Sequence, residues 1–469
     1  MLLLILLVPG AQSAPKPLLV HYMPWYVARP YSGSWGWHWT MNHYNPDAVT
    51  SGKRQLASWY YPLIGPYDSL DPALLEYHVL LMKLAGIDGV AVNWYGPDNF
   101  NDYAIINQRT LALLNYTRKA GLKFCLCYED QAIKHEIDAG YIAAAAAISH
   151  AQQTILYAQS NFFTDATYLR LSNAPVFLNF GPQHFKNNVD WLTILSVLNA
   201  TNQPAFFTED HRLAAGRGAF NWPPMWMSGG GTNTLAPGQL QDYLDSFGQK
   251  AASWPAYISS AFPRFHDIYA QAGVGPSYGY LDDANGATMT NTMLRALTNN
   301  SAFVHLVTWN DFGEGTAIEP TLEYGYRDLG TIQTLRRQYL DSGFSYTTND
   351  LTAAFRFYNL RKQYSTNLAI STELNRIFTN IVTGRITVAN RQLTGIELSQ
   401  SVIYDQATDY AQMQLSIGGY VASTVQLDGS TNLIKSQTVQ AYAGTTNLLI
   451  FVTNTQAIPR PFPRSDSAL

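Results

Sequence analysis

The sequence predicts a (β/α)8 TIM barrel followed by a small antiparallel β-sandwich domain, and three observations carry that prediction. Runs of β-branched and aromatic residues alternate with longer stretches of helical spacing from residue 18 to residue 340. Eight such runs are present, the number a closed barrel requires. Polar and aromatic residues follow nearly every run, and a barrel gathers the carboxyl ends of its strands around one pocket. A doubly wound open sheet is the competing fold.

The predicted strands, in order, are Leu18–Met23, Gly89–Trp94, Lys123–Tyr128, Pro175–Phe180, Ala205–Thr208, Pro224–Met227, Tyr257–Ala261 and Phe303–Thr308. Each is short and largely apolar, as expected of strands covered on both faces. Helices are expected between them at Pro72–Ala85, Ile105–Ala120, Ala139–Phe162, Asp190–Leu198, Gln239–Ala252, Met289–Leu297 and Gly330–Leu340. The groups at the strand ends are His21, Tyr22 and Trp25, then Asn93, Trp94 and Tyr95, then Glu129 and Asp130, and Asn179. Glu209, Asp210 and His211 follow the fifth strand, Arg264 and His266 the seventh, and Asp311 and Glu314 the eighth.

The barrel is assigned to residues 15–370. Two further helices are expected at Thr348–Gln363 and Thr372–Val382, and the β-sandwich occupies residues 385–457. Its strands are Ile386–Ala389, Ile396–Ile403, Ala411–Ile417, Tyr420–Gln426, Gln437–Ala441 and Leu448–Val452, separated by Gly- and Asn-rich turns. Residues 458–469 read as a flexible tail. At the other end, the apolar run Leu2–Val8 and the small-residue stretch Ala11-Gln12-Ser13-Ala14 read as a signal peptide over residues 1–14, which makes the protein secreted.

Composition narrows the partners. Charged residues are 13% of the chain, against roughly 25% in an average soluble domain. Aromatic residues also reach 13%, with 30 Tyr and 11 Trp. Such a chain suits neutral, hydroxylated ligands, because flat rings pack on the C–H faces of sugars; a large core explains the same numbers. The net charge of −4 and the lack of a basic block argue against nucleic acid. No segment after the leader reaches the ~20 apolar residues of a membrane span. A monomer is expected. Cys125 and Cys127 alternate on one strand, too far apart for an easy bridge, and are read as buried free thiols.

The most informative motif is Trp309–Thr316, which reads Trp-Asn-Asp-Phe-Gly-Glu-Gly-Thr at the end of the eighth predicted strand. It sets the carboxylates of Asp311 and Glu314 three positions apart. Glycosidic bonds are commonly broken by two carboxyl groups, one acting as acid and the other as base or nucleophile. Two carboxyls that close tend to divide their states, one protonated and one ionised. The competing reading is a turn in which Asp311 caps backbone amides. Trp309 and Asn310 offer a ring and an amide to a sugar. Tyr22, Trp25, Tyr26 and Trp94 are candidate stacking platforms, with core packing as the alternative for each. His38 lies in the Trp-dense loop Trp35-Gly36-Trp37-His38-Trp39. No cofactor is required and no metal is expected. The one set weighed for a metal, Glu209-Asp210-His211 with Asp282 or Asp283, is disfavoured because consecutive residues of an extended chain point in opposite directions.

Four motifs in order resemble glycoside hydrolase family 99 and the related family 71. They are His21-Tyr22-Met23-Pro24-Trp25-Tyr26; Tyr60-Tyr61-Pro62-Leu63-Ile64-Gly65-Pro66-Tyr67-Asp68-Ser69 with Asp71-Pro72; Ala85-Gly86-Ile87-Asp88 leading to Asn93-Trp94-Tyr95; and Trp309–Thr316 with Ile318-Glu319-Pro320. The resemblance implies a glycosidase acting on α-linked mannan or glucan in a polysaccharide or oligosaccharide by a retaining route. It makes Asp311 the base toward the substrate's 2-hydroxyl, giving a 1,2-anhydro sugar, and Glu314 the acid/base at the leaving oxygen. Glu129 matches a third acidic position of family 99, with a role in binding sugar hydroxyls or tuning the pair. Family 99 carries Glu where this chain has Asp311, and Asp there is similar to the α-1,3-glucanases of family 71. Two alternatives stay open: a non-catalytic carbohydrate-binding protein on a degenerate barrel, and a hydrolase of a β-linked polysaccharide.

Overall fold

The computed structural model describes residues 16–398 and four strands beyond them, Gln412–Ile417, Tyr420–Gln426, Gln437–Ala441 and Thr446–Ile450. The chain divides into two compact units, residues 1–351 and 352–469. The signal peptide and tail expected from the sequence lie outside the described residues.

The first unit is the barrel. Its strands are β1 (Leu18–Tyr22), β2 (Gly89–Trp94), β3 (Lys123–Tyr128), β4 (Ala174–Asn179), β5 (Ala205–Glu209), β6 (Gly218–Phe220), β7 (Ser259–Ala261) and β8 (Val304–Leu306). They lie side by side in the order β7-β8-β1-β2-β3-β4-β5-β6, every pair parallel. A parallel bridge from Phe220 to Ile258, with the Ile258 N–H donating to the Ala219 carbonyl at 3.0 Å, brings β6 to the foot of β7 and closes the ring. Closure leaves no open edge, so each strand is covered on both faces and reads as a continuous apolar run. All of β1 and β2 is buried accordingly. Cys125 and Cys127 are buried free thiols, as expected, and burial pushes both up out of reach of ionisation.

The helices are α1 (Pro72–Ala85), α2 (Tyr103–Ala120), α3 (Gln131–Asp138), α4 (Ala147–Ala158), α5 (Asn188–Leu195), α6 (Pro237–Ala251), α7 (Ala287–Thr298) and α8 (Arg327–Tyr339). α1 shows why its boundaries are sharp. The Asp71 carboxylate accepts the Ala73 N–H at 2.9 Å, Pro72 occupies the first turn, and Gly86 ends the helix in the left-handed region.

Three expectations are corrected. Strand six is not Pro224–Met227, which begins a 3-10 turn over Met225–Ser228, but Gly218–Phe220. Only glycine fits at 218, since a Cβ there would lie 1.8 Å from the Ala256 carbonyl oxygen. The helix expected from Ala139 starts only at Ala147, as α4, after Gly140 in the left-handed region and a 3-10 turn at Ala144–Ala146, and a separate helix, α3, precedes it. In the second unit, Ile386–Ala389 and the start of Ile396–Ile403 are not strands but one helix, Ile386–Leu398. Its buried residues, Ala389, Leu393 and Ile396, recur at helical spacing, a period that short apolar pairs can mask. The compact units part at residue 351, so most of the helix Thr348–Gln363 falls with the second unit, together with Leu368–Val382. The four later strands form two separate antiparallel pairs.

Candidate active site

The loop after β8 carries Asp311 and Glu314, and its shape is fixed mainly by backbone groups. Asp311 donates its N–H to Thr308 Oγ1 at 2.8 Å, and Thr308 and Thr316 share a hydroxyl bond at 2.8 Å across the loop. One Asp311 carboxylate oxygen accepts the Glu314 N–H at 2.9 Å. The turn-capping reading of Asp311 is therefore true, and it is also what brings the two acids together. Phe312, between them, is fully buried in a cluster with Met23, Tyr26, Trp39, Tyr67 and Leu74. Glu314 is tied at its carbonyl, which accepts the His266 N–H at 2.8 Å, and the Gly313 carbonyl accepts the Ile268 N–H at 3.0 Å. Gly315 permits that approach: a Cβ there would meet the His266 carbonyl oxygen at 2.5 Å.

Both carboxyls are pushed up, and by different balances. Burial raises Asp311, and the charge of Glu129 adds to it, while the backbone N–H groups of Glu314 and Gly313 pull it back toward ionisation. Burial raises Glu314 well above the ordinary range, and the charges of Asp311, Asp267, Glu129 and Glu209 all add to that. Hydrogen bonds to the charged form favour it, and nearby charges of the same sign oppose it. The arrangement thus favours an ionised Asp311 beside a protonated Glu314. The Tyr269 hydroxyl donates to Glu314 Oε1 at 3.4 Å.

Glu129, at the end of β3, accepts the Asn93 amide at 2.8 Å and the Tyr95 hydroxyl at 2.9 Å, both at Oε1. Burial raises it, and those two bonds oppose the rise. Glu209, at the end of β5, is pushed up to about 8 by burial, with Asp210 and Glu129 adding. Four acids from three strand ends thus feel one another's charge. Glu209 stood among the strand-end residues of the sequence and in the disfavoured metal set; its place beside Glu129 comes from the barrel. Asp210 instead accepts the Tyr243 hydroxyl.

Several of the expected sugar contacts are buried within the barrel. Tyr22, Tyr26, Trp94, Trp309 and Asn310 are each no more than 1% exposed. The Tyr22 hydroxyl bonds His78 Nδ1 at 2.9 Å, and Trp94 donates to Asn107 at 3.0 Å. Trp309 packs edge-on against His78. The Asn310 amide pairs with the backbone of Met23 in both directions, at 2.8 and 3.0 Å. The Tyr26 hydroxyl donates to the Asn310 carbonyl at 2.8 Å and accepts the Phe312 N–H at 3.0 Å. A fully buried ring offers no face to a ligand. Tyr26 and Asn310 instead clamp the acid-bearing loop to the end of β1. Trp25 and His38 differ: both are partly exposed, their rings stack at 4.1 Å and 3°, and His38 Nε2 bonds Asp102 at 3.3 Å.

The aromatic group beside Glu314 escaped the sequence reading. Trp59 is 40% exposed and stacks on His266 at 4.5 Å and 16°. Tyr60 reaches His266 Nδ1 at 3.4 Å. The aromatic run Trp59-Tyr60-Tyr61 was the available sign. Arg264 is a structural residue: it pairs with Asp328, donates to the Ala317 carbonyl at 2.8 Å and stacks on Tyr324.

The family profile "Glycosyl hydrolase family 99" matches residues 16–160. A Danio rerio glycoprotein endo-alpha-1,2-mannosidase-like protein is 21% identical over 361 residues, covering 69% of this chain and 73% of that one. The Mus musculus glycoprotein endo-alpha-1,2-mannosidase is 31% identical over 91 residues, 17% of this chain and 20% of the mouse protein, so the chain spans about a fifth of that relative. The solved GH99 endo-alpha-mannosidase of Bacteroides thetaiotaomicron is 19% identical, covering 74% of this chain and 99% of that one, with a TM-score of 0.49. The chain is a glycosyl hydrolase family 99-like protein and a glycoside hydrolase.

Proposed function

We propose that the protein is an α-glycosidase of mannan or glucan chains that works by a retaining route. Asp311 acts as the base and Glu314 as the acid/base. The observation that carries the reading is the unequal treatment of two carboxyls on one turn. Burial raises both, but backbone N–H groups pull Asp311 back toward its charged form, while neighbouring charge adds to burial in keeping Glu314 protonated. A general acid must hold a proton at working pH and its partner must not. In the first step Asp311 would take the proton of the 2-hydroxyl as that oxygen closes on the anomeric carbon, while Glu314 gives its proton to the departing oxygen. In the second, Glu314 takes a proton from water, the water oxygen attacks the anomeric carbon, and the 2-oxygen regains a proton from Asp311. The balance of protons closes and no cofactor enters.

The mannosidase-type relatives support α-mannan as the first substrate to try, and the Asp at position 311 supports including α-1,3-glucan. Export is proposed on the apolar run Leu2–Val8 and the small-residue stretch Ala11-Gln12-Ser13-Ala14. The turn-capping bond of Asp311 favours one second reading, a carbohydrate-binding protein in which that carboxylate is purely structural. Purified protein incubated with α-1,2-mannan, α-1,3-glucan and β-linked glucan decides among these. The reading expects new reducing ends from an α-linked polymer, with the first-formed product in the substrate's own anomeric configuration by NMR. Saturable binding with no reducing ends, or release from the β-linked polymer alone, would overturn it.

A further inference from the structure

We propose that Asp98, Glu136 and His150 form a site for one divalent metal ion of the zinc class, apart from the acid pair and independent of the glycosidase reading. The three residues come from three elements: the loop after β2, α3 and α4. Among the described residues they are the one set of three metal-capable side chains whose ligand atoms converge, all within 4.8 Å of one another. The set weighed from the sequence, Glu209-Asp210-His211 with Asp282 or Asp283, does not do so.

The geometry is unlike an ordinary histidine–carboxylate bond. Asp98 Oδ2 lies 3.0 Å from His150 Nε2, and Glu136 Oε2 lies 3.3 Å from the same nitrogen. One ring nitrogen carries at most one proton, so it cannot serve both oxygens well. The consequence falls on Glu136. That residue is 1% exposed, and its Oε2 has no hydrogen-bond partner although it points into the cluster. A buried carboxylate oxygen without a donor, facing a second carboxylate, is expensive to keep. A cation among the three atoms removes both penalties.

Size and chemistry select the ion. With metal–ligand bonds of ~2.0–2.2 Å, neighbouring ligand atoms around zinc stand roughly 3.0–3.5 Å apart. The separations of 3.0 and 3.3 Å match that edge length. Calcium and magnesium favour sets made of oxygen alone, whereas an imidazole nitrogen beside two carboxylates suits zinc and its first-row neighbours. The side chains of Asp98 and His150 are 23% and 18% exposed, which leaves room for water in the remaining position.

The location suggests what the ion would do. His135, the neighbour of Glu136 on α3, bonds the Tyr103 hydroxyl at 3.0 Å. Tyr103 stacks on Tyr95 at 5.1 Å and 8°, and Tyr95 donates to Glu129. The ion would brace the wall that holds Glu129 without touching the reacting atoms.

The test uses the full chain, freed of metal by chelation and titrated with Co2+ and then Zn2+. The expected result is one equivalent of Co2+ with visible ligand-field absorption, its displacement by one equivalent of Zn2+, and a Tm that rises with Zn2+. In Asp98→Asn and His150→Ala the equivalent and the Tm response are expected to be lost. Asp98 sits on a partly exposed loop, so its variant removes a ligand without opening the core, and circular dichroism reports whether it folds. Metal-free wild-type protein that takes up no Co2+ or Zn2+ overturns the site, as does uptake unchanged in both variants.

Discussion

The two walls of the candidate site hold their acids by different means. On the β8 wall the loop's own backbone and its short polar side chains do the work: the Thr308–Thr316 hydroxyl pair, the Asp311 cap on Glu314, the Tyr26 clamp and the links from His266 and Ile268. On the β2–β3 wall side chains do it, with Asn93 and Tyr95 both donating to one oxygen of Glu129. A carboxyl placed by interlocked backbone bonds has a fixed geometry that no single neighbour can restore once it is lost. A carboxyl held by two side-chain donors has a charge that can be adjusted one bond at a time. The first suits groups that move protons, the second a group that sets the field around them.

The largest effect that could break this comparison is at the pair. Glu314→Gln and Asp311→Asn should each lower kcat on a natural polysaccharide by about 10²–10⁴-fold while circular dichroism and Tm stay near wild type. Steady-state rates near wild type would remove both from the chemistry.

The next effect belongs to the clamp. Tyr26→Phe removes a donor to the Asn310 carbonyl and an acceptor for the Phe312 N–H, and should cost about 1–3 kcal/mol of stability by urea unfolding. As a positioning residue it should also lower kcat by more than it changes KM, because misplacing a catalytic group by ~1 Å can cost about 10²-fold. A stability loss with kcat unchanged would leave Tyr26 a purely structural residue.

Glu129→Gln sharpens the contrast, since its effect should appear mainly in the pH profile. The Glu129 charge raises both Asp311 and Glu314. Removing it lowers both, so both limbs of the kcat/KM profile should move to lower pH, with a loss at the optimum of about tenfold. Limbs that stay in place would show that Glu129 does not act on the pair through its charge.

The smallest effect is on stability. Glu209 is raised to about 8 in the folded protein from an ordinary 4.5, so between those values the native state binds more protons than the unfolded chain. Stability from this group is therefore present below 4.5 and is lost as pH rises through about 8. Glu209→Gln should then gain in Tm relative to wild type on going from pH 4.5 to pH 8. An equal difference between the two proteins at both pH values would contradict the assignment.

Seven of the eight strands were legible because closure buries them on both faces and leaves largely apolar runs such as Leu18–Tyr22 and Gly89–Trp94. Strand six was not, because three residues beginning with glycine make no run, while the nearby apolar Pro224–Met227 does. Asp311 and Glu314 were legible because their relation is local, three residues on one turn. The roles of Tyr26 and Asn310 were not, since both are tertiary: each joins the end of β1 to the loop after β8. Residue type pointed to sugar contacts, and the structure buries both side chains. The Trp59–His266 stack and the Asp98–Glu136–His150 cluster escaped for the same reason, as no short spacing links their members.

The division of labour within the pair is the central claim, and a glycosyl fluoride with the sugar of the natural substrate tests it most directly. Fluoride departs without a proton, so the acid becomes dispensable in the first step while the base does not. The account predicts that Glu314→Gln still releases fluoride at a substantial rate, observed as a burst, and that Asp311→Asn releases almost none. The reverse order, or equal loss in both variants, would contradict it.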